Sequence, residues 1–319
     1  MALRIAHVAD LRSRNPFLSA VAANTAWLVP ALRELGHEVE LIEAQRLPAF
    51  VGRSYDVLHL HGVIPGPRPR ADLTLATRYD EEAPPSRFIA LTYRQHQSDG
   101  LRAIAVIPPA VDMSLIPADR DQGDHLAFSF DGRDEYALGA AIAVATRQER
   151  RLVVVLGPEA QLSESCGAAI RIGEQGGWLR VERLGPSSFP SAIWSAAAYL
   201  SFGRRGFDMA AVTALACGTP VIAFEGTPIA ELVVHGESGW VCPSAQSAAQ
   251  SLEHLDLLSP ALARARARVV FDAEAAAFRH AQLYRQLLRR ELQRPPRSDA
   301  APGSDILRDE GTGPRQRAG

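Results

Sequence analysis

Lysine is absent from this chain of 319 residues; all 34 of its basic side chains are arginine. A phosphate-binding Walker loop needs its lysine, and Schiff-base or pyridoxal-phosphate chemistry needs a lysine amine, so both are excluded. An arginine- and alanine-rich coding bias accounts for the absence without changing that consequence. Cysteine is scarce: Cys166, Cys217 and Cys242 show neither metal-site spacing nor even pairing, which fits a reduced, cytoplasmic setting. No apolar run approaches the roughly 20 residues of a membrane span. The start, Met1 to Val8, has no basic stretch followed by a long apolar one, so no signal peptide is expected. Excess charge is also missing: a net charge of -2 gives no electrostatic case for nucleic acid or an anionic membrane surface.

What is present is a soluble, globular composition, 47% hydrophobic and 22% charged, long enough for two domains with real cores. Short apolar segments alternate with amphipathic ones almost throughout, the pattern of a parallel sheet covered on both faces. Strands are predicted over 4–8, 37–42, 56–61, 71–77, 88–92 and 103–107, with a helix over 20–35 ended by Gly36. A polar, turn-rich stretch from Ile116 to Asp124 marks a domain boundary. A second series follows, with strands over 126–130, 152–156, 179–184, 198–202 and 220–224 and helices over 136–147, 190–196 and 210–216. An amphipathic helix over 274–290 carries Phe278, Leu283, Tyr284 and Leu287 on or near one face. This divides the chain into a first domain (1–118), a second (124–272), a crossing helix (273–293) and a tail (294–319) with little to bury, expected to be disordered.

Several motifs stand in order along the chain. Arg4-Ile5-Ala6-His7-Val8 is followed by Leu35-Gly36-His37-Glu38-Val39-Glu40-Leu41 and by Asp56-Val57-Leu58-His59-Leu60-His61. Asp131-Gly132-Arg133 opens the second series. Arg205-Gly206-Phe207-Asp208-Met209 precedes Ala216-Cys217-Gly218-Thr219-Pro220-Val221-Ile222-Ala223, and Glu231-Leu232-Val233 and His235-Gly236-Glu237-Ser238-Gly239-Trp240-Val241 close the set. Together they resemble the family 4 glycosyltransferases, over residues 1 to about 290 and most densely from Tyr199 to Val241.

The resemblance implies a GT-B fold, two Rossmann-like doubly wound α/β domains facing across a cleft, with a C-terminal helix crossing back. It implies retaining transfer of a hexose from a nucleotide diphosphate sugar to an acceptor, with no metal and no bound cofactor. Such an enzyme must neutralise the departing diphosphate, a task for arginine, lysine and helix N-terminal amides. It must also grip the sugar and ribose hydroxyls, where carboxylates make strong charge-assisted bonds.

The chain departs from the family pattern at this point. The glycine pair of the first phosphate-facing loop falls on Ala22-Ala23, blocking close backbone approach. The family's lysine is Leu138, before Gly139, leaving Arg133 as diphosphate clamp or plain surface arginine. The two motif glutamates, in E-P-F-G-L and E-A-M-A-C-G-T-P-V-I-A, fall on Arg205 and Thr213. Asp208 offers a substitute carboxylate or a helix N-cap, and Thr213 a neutral ribose contact or a core position. Phe207, Met209 and Glu231 complete the donor-side candidates. Gly218 and Pro220 read as turn residues. His59 and His61 share one strand face, lining the cleft, with His61 the candidate, or packing beneath a helix. No metal-ligand cluster is apparent.

Two functions stay open on the sequence: a transferase with an altered donor site, or a catalytically inactive homologue that binds or stabilises a protein partner. A different reaction on the same scaffold, an epimerase or phosphorylase, has no signature in the loops.

Overall fold

A computed structural model describes residues 1–11, 15–79, 87–97, 102–117, 119, 122–158, 160–204 and 206–293. The expected disordered tail lies outside these residues.

The first half builds β1 (Arg4–Ala9), α1 (Ala20–Ala23), α2 (Val29–Glu34), β2 (Glu38–Glu43), β3 (Ser54–His61), β4 (Arg70–Thr77), β5 (Phe88–Ala90), α3 (Tyr93–Gln97) and β6 (Ala105–Val106). The second half builds β7 (Leu126–Phe130), α4 (Glu135–Arg147), β8 (Leu152–Leu156), α5 (Glu164–Gln175), β9 (Leu179–Arg183), α6 (Ser191–Trp194), β10 (Ala198–Ser201), α7 (Met209–Cys217), β11 (Val221–Phe224), β12 (Gly239–Cys242), α8 (Ala245–Ser251), α9 (Pro260–Phe271) and α10 (Ala273–Leu292). Two six-stranded sheets result, ordered β2-β1-β3-β4-β5-β6 and β12-β11-β10-β7-β8-β9. Neighbouring strands pair in parallel, β1 with β3 in the register His7↔His59 and Ala9↔His61. Their near-continuous apolar runs, such as Leu152 to Leu156 with every residue buried, are what burial on both faces requires.

The predicted helix over 20–35 is not uniform. A π-helical turn over Asn24–Leu28 separates α1 from α2. Pro30 lies in the first turn of α2; it has no N–H to donate to the carbonyl one regular turn back, and its ring clashes with that carbonyl, which the wider turn accommodates. Asn24 in that turn is buried, its Oδ1 accepting from the Ala110 amide at 2.9 Å and its Nδ2 donating to the Tyr79 hydroxyl at 2.9 Å. The strand β12 is not among those expected from the sequence, because its glycine hides the pattern. A Cβ on Gly239 would stand 1.9 Å from the Val221 carbonyl oxygen, so only glycine lets β12 lie beside β11.

The chain does cross back. Val111 donates to the Phe271 carbonyl and Ala273 to the Val111 carbonyl, at 2.7 and 3.0 Å, and α10 then packs on the first sheet. Leu283 and Tyr284 are buried there, whereas Phe278 is 51% exposed and does not share that face. One apolar cluster runs from Leu28 and Val57 through Tyr284 to Met209 and Val221, so the halves share a core on this side.

Candidate functional site

In parallel α/β sheets the loops beyond the carboxyl ends of the strands form the binding crevice. In the second half these are the β7–α4, β9–α6 and β10–α7 loops; in the first half, among the described residues, the β1–α1 loop from Asn15 onward and residues 78–79 after β4.

Arg133 follows Gly132, whose φ is +90° and whose absent Cβ would strike the Gln161 carbonyl. The Arg133 amide donates to Asp131 Oδ1 at 2.9 Å, a tight local turn. Its guanidinium is 84% exposed and lies 3.8 Å from the Asp131 carboxylate, an association worth little in water. A second arginine, Arg204, was not singled out from the sequence. Its amide donates to Asp134 Oδ2 at 3.1 Å, and its guanidinium stacks 4.9 Å from the centre of the Tyr136 ring. Because β7 pairs with β10, both arginines stand at one edge of the crevice. Only the register of the sheet brings them together. Arg205 lies outside the described residues.

Asp208 caps α7, its Oδ1 accepting from the Ala211 amide at 3.1 Å. The same carboxylate accepts from Ser201 Oγ at 2.7 Å and from the Tyr199 hydroxyl at 3.0 Å. Burial pushes its pKa up, opposed by the hydrogen bonds from Ser201, Ala211 and Tyr199. Both readings offered for Asp208 are therefore resolved toward capping: the oxygens are spent on the protein.

Several candidates are corrected by their surroundings. Met209 and Thr213 are 0% exposed. Thr213 donates to the Phe17 carbonyl of the other half at 2.9 Å, so it bonds the chain itself. Phe207 packs on the shared core. Glu231, the remaining donor-side candidate, ends the short 3-10 turn Pro228–Glu231 and is exposed. Ala22 and Ala23 lie inside α1 rather than in a loop, both buried. Leu138, in the lysine position, is buried in the second core. His61 is 3% exposed; it does not line the cleft. Gly218 behaves as expected, closing α7 with φ +77°.

The β1–α1 loop reaches across the crevice. Asn15 Nδ2 donates to the carbonyls of Gly185 and Ser188 at 2.8 and 3.0 Å. Phe17 packs edge-on against Phe189, ring centres 5.2 Å apart. With the Thr213 bond, this makes a built contact between the halves at the helix where the family has its second glutamate.

The expectation of no metal-ligand grouping is also corrected. His7, His59 and His61 each offer a ring nitrogen, and the three lie within 4.8 Å of one another, all buried. Beneath α10 they join His280. Burial depresses all four, His61 to about 3 and His280 to about 4, so the imidazoles are neutral near pH 7. His7 stands 54 residues from His61, and no spacing rule connects them in sequence.

The architecture is that of the GT-B glycosyltransferases. Residues 135–257 match the family described as Glycosyl transferases group 1. Among solved structures, AviGT4, a glycosyltransferase involved in avilamycin A biosynthesis, is similar with a TM-score of 0.68 and 18% identity, over 90% of this chain and 98% of that one. Sucrose-phosphate synthase from Thermosynechococcus elongatus gives 0.65 and 16%, over 90% and 100%. Anabaena HepE in complex with UDP-glucose gives 0.63 and 14%, over 89% and 100%. Comparison with curated protein sequences finds no significant match. No helix among the described residues is long and apolar enough to cross a membrane.

Proposed function

We propose that this protein is a nucleotide-sugar-dependent glycosyltransferase whose donor diphosphate binds at the carboxyl ends of β7 and β10. The observation that carries the reading is the group 1 match over residues 135–257, which falls on the half bearing Arg133 and Arg204. The UDP-glucose complex of a protein of similar fold, Anabaena HepE, supports a hexose donor. Departure of the diphosphate places negative charge near two guanidinium groups, that of Arg133 largely exposed beside Asp131 and that of Arg204 stacked on Tyr136, and preorganised charge of this kind lowers the barrier. The reaction proposed needs no metal cofactor, runs with retention, and delivers the sugar to an acceptor on the first half. A cytoplasmic location goes with a nucleotide-sugar substrate.

The test is thermal denaturation against a panel of nucleoside diphosphates and their sugars, followed by transfer assays. A ligand at about a hundredfold over its Kd adds roughly 2.7 kcal/mol. One nucleotide should shift the wild type, and Arg133→Ala with Arg204→Ala should abolish the shift while leaving the ligand-free Tm unchanged. A double variant that binds and transfers like wild type would refute the clamp.

The Phe17 carbonyl on Thr213 favours one second reading, an inactive homologue that holds its own loop where a ribose would sit and serves a protein partner. No shift with any nucleotide, together with co-purification of a defined partner, would favour it.

A further inference from the structure

We propose that His7, His59 and His61, with His280 of α10 as the fourth ligand, form a structural site for a borderline transition-metal ion such as Zn²⁺. The site is independent of the donor crevice and lies inside the first half, under the crossing helix.

The first argument is the donor set. His7, His59 and His61 come from paired strands, β1 and β3, on one face, and their nitrogens lie within 4.8 Å of one another. Tetrahedral coordination at Zn–N distances of about 2.0–2.1 Å requires nitrogens roughly 3.4 Å apart, so the strand trio must contract by about 1.4 Å at its widest, and His280, which lies outside that trio, must move in toward it. The closest pair, His7 Nδ1 and His61 Nε2 at 2.8 Å, must part slightly.

The second argument is unspent nitrogen. His280 Nδ1 lies 2.8 Å from the Ala276 carbonyl, which can only accept, so the proton of the neutral ring is on Nδ1. Its Nε2 therefore presents a lone pair, and that atom is buried without a partner. Buried polar atoms are rarely left so. The His280 ring lies 5.7 Å from that of His59, beside the group.

The third argument is the surrounding shell. Metal-binding imidazoles are held by hydrogen bonds at their other nitrogen. His61 Nδ1 shares one with the Tyr79 hydroxyl at 2.6 Å, and His59 shares two, with Tyr284 at 2.6 Å and Thr77 at 2.7 Å. His59 must release one of these to coordinate. An all-imidazole set suits Zn²⁺, Co²⁺, Ni²⁺ or Cu²⁺ and disfavours Mg²⁺ and Ca²⁺, which take oxygen. The ion would fasten α10 to β1 and β3.

The experiment uses untagged full-length protein, stripped with chelator and titrated with Co²⁺ and Zn²⁺. Expected are one equivalent of Co²⁺ per chain, a visible absorption band of tetrahedral type, displacement by Zn²⁺, and a raised Tm. His280→Ala should weaken Co²⁺ binding at least tenfold, and His254→Ala, an exposed histidine elsewhere, should leave it unchanged. If His280→Ala fails to fold, His7→Gln, with an uncharged side chain, carries the same test. A wild type that takes up no stoichiometric ion and shows no band, or variants that bind as wild type does, would overturn the proposal and leave a hydrogen-bonded imidazole network.

Discussion

Thr213 and Asp208 show how a residue's neighbours decide its role. Each sits where the family resemblance placed donor recognition, and each is spent on the protein itself. Thr213→Val should leave the Phe17 carbonyl unpaired and cost about 1–2 kcal/mol, read by urea denaturation. If the loop it holds obstructs the donor, the same variant should bind nucleotide more tightly; unchanged stability would refute the bond's role. Thr213→Glu would set a carboxylate against a carbonyl oxygen in a fully buried position, so restoring the family's residue should destabilise the fold rather than create affinity. Asp208 has a pH signature. Its folded pKa is raised, so the folded state holds the proton more tightly than the unfolded chain. Its contribution is fully present below the ordinary carboxylate value of about 3.9 and is lost as pH rises through the folded pKa. Asp208→Asn keeps a capping oxygen and removes that titration. The stability of wild type relative to the variant should therefore fall as pH increases from about 3.9; a difference that rose with pH would contradict the assignment.

Among elements, the turn after α7 and the broken first helix carry most of the information. Gly218 combines φ +77° with a Cβ position 2.8 Å from the Pro260 carbonyl oxygen. Gly218→Ala should cost more than the ~1 kcal/mol of a left-handed backbone alone, because the start of α9 must also move; thermal denaturation measures it. This was readable beforehand, since a glycine before Thr219-Pro220 and after an apolar helix is a local signal. Pro30 is a local cause of the π turn at Asn24, but the bonds that seat Asn24, to Ala110 and Tyr79, join residues distant in sequence and were not readable. Asn24→Ala strands the Ala110 amide, while the Tyr79 hydroxyl keeps its bond to His61, and should destabilise by about 1–3 kcal/mol.

For the molecule as a whole, α10 is the member that makes two doubly wound halves into one body. Tyr284 is fully buried, bonded to His59, and part of the apolar cluster shared by both halves. Tyr284→Ala should cost on the order of 3–5 kcal/mol, the range for large aromatic deletions. Both halves should lose stability together, seen as a single lowered transition in calorimetry. A variant that unfolded in two separate steps would instead mean that the shared core is not cooperative.

The order of strands and helices, the parallel sheets and the Gly218 turn were legible in the sequence because each depends on period, breakers and caps within a few residues. Strand bounds over Leu126–Phe130 and Leu152–Leu156 agree with the fold to the residue. The placing of Arg204 and Arg133 on neighbouring loops, the seating of Phe17 on Thr213 across 196 residues, and the meeting of His7 with His61 and His280 were decided only by tertiary structure. Those contacts follow from sheet register and from the path of the crossing helix, and neither is fixed by the local spacing of residues along the chain.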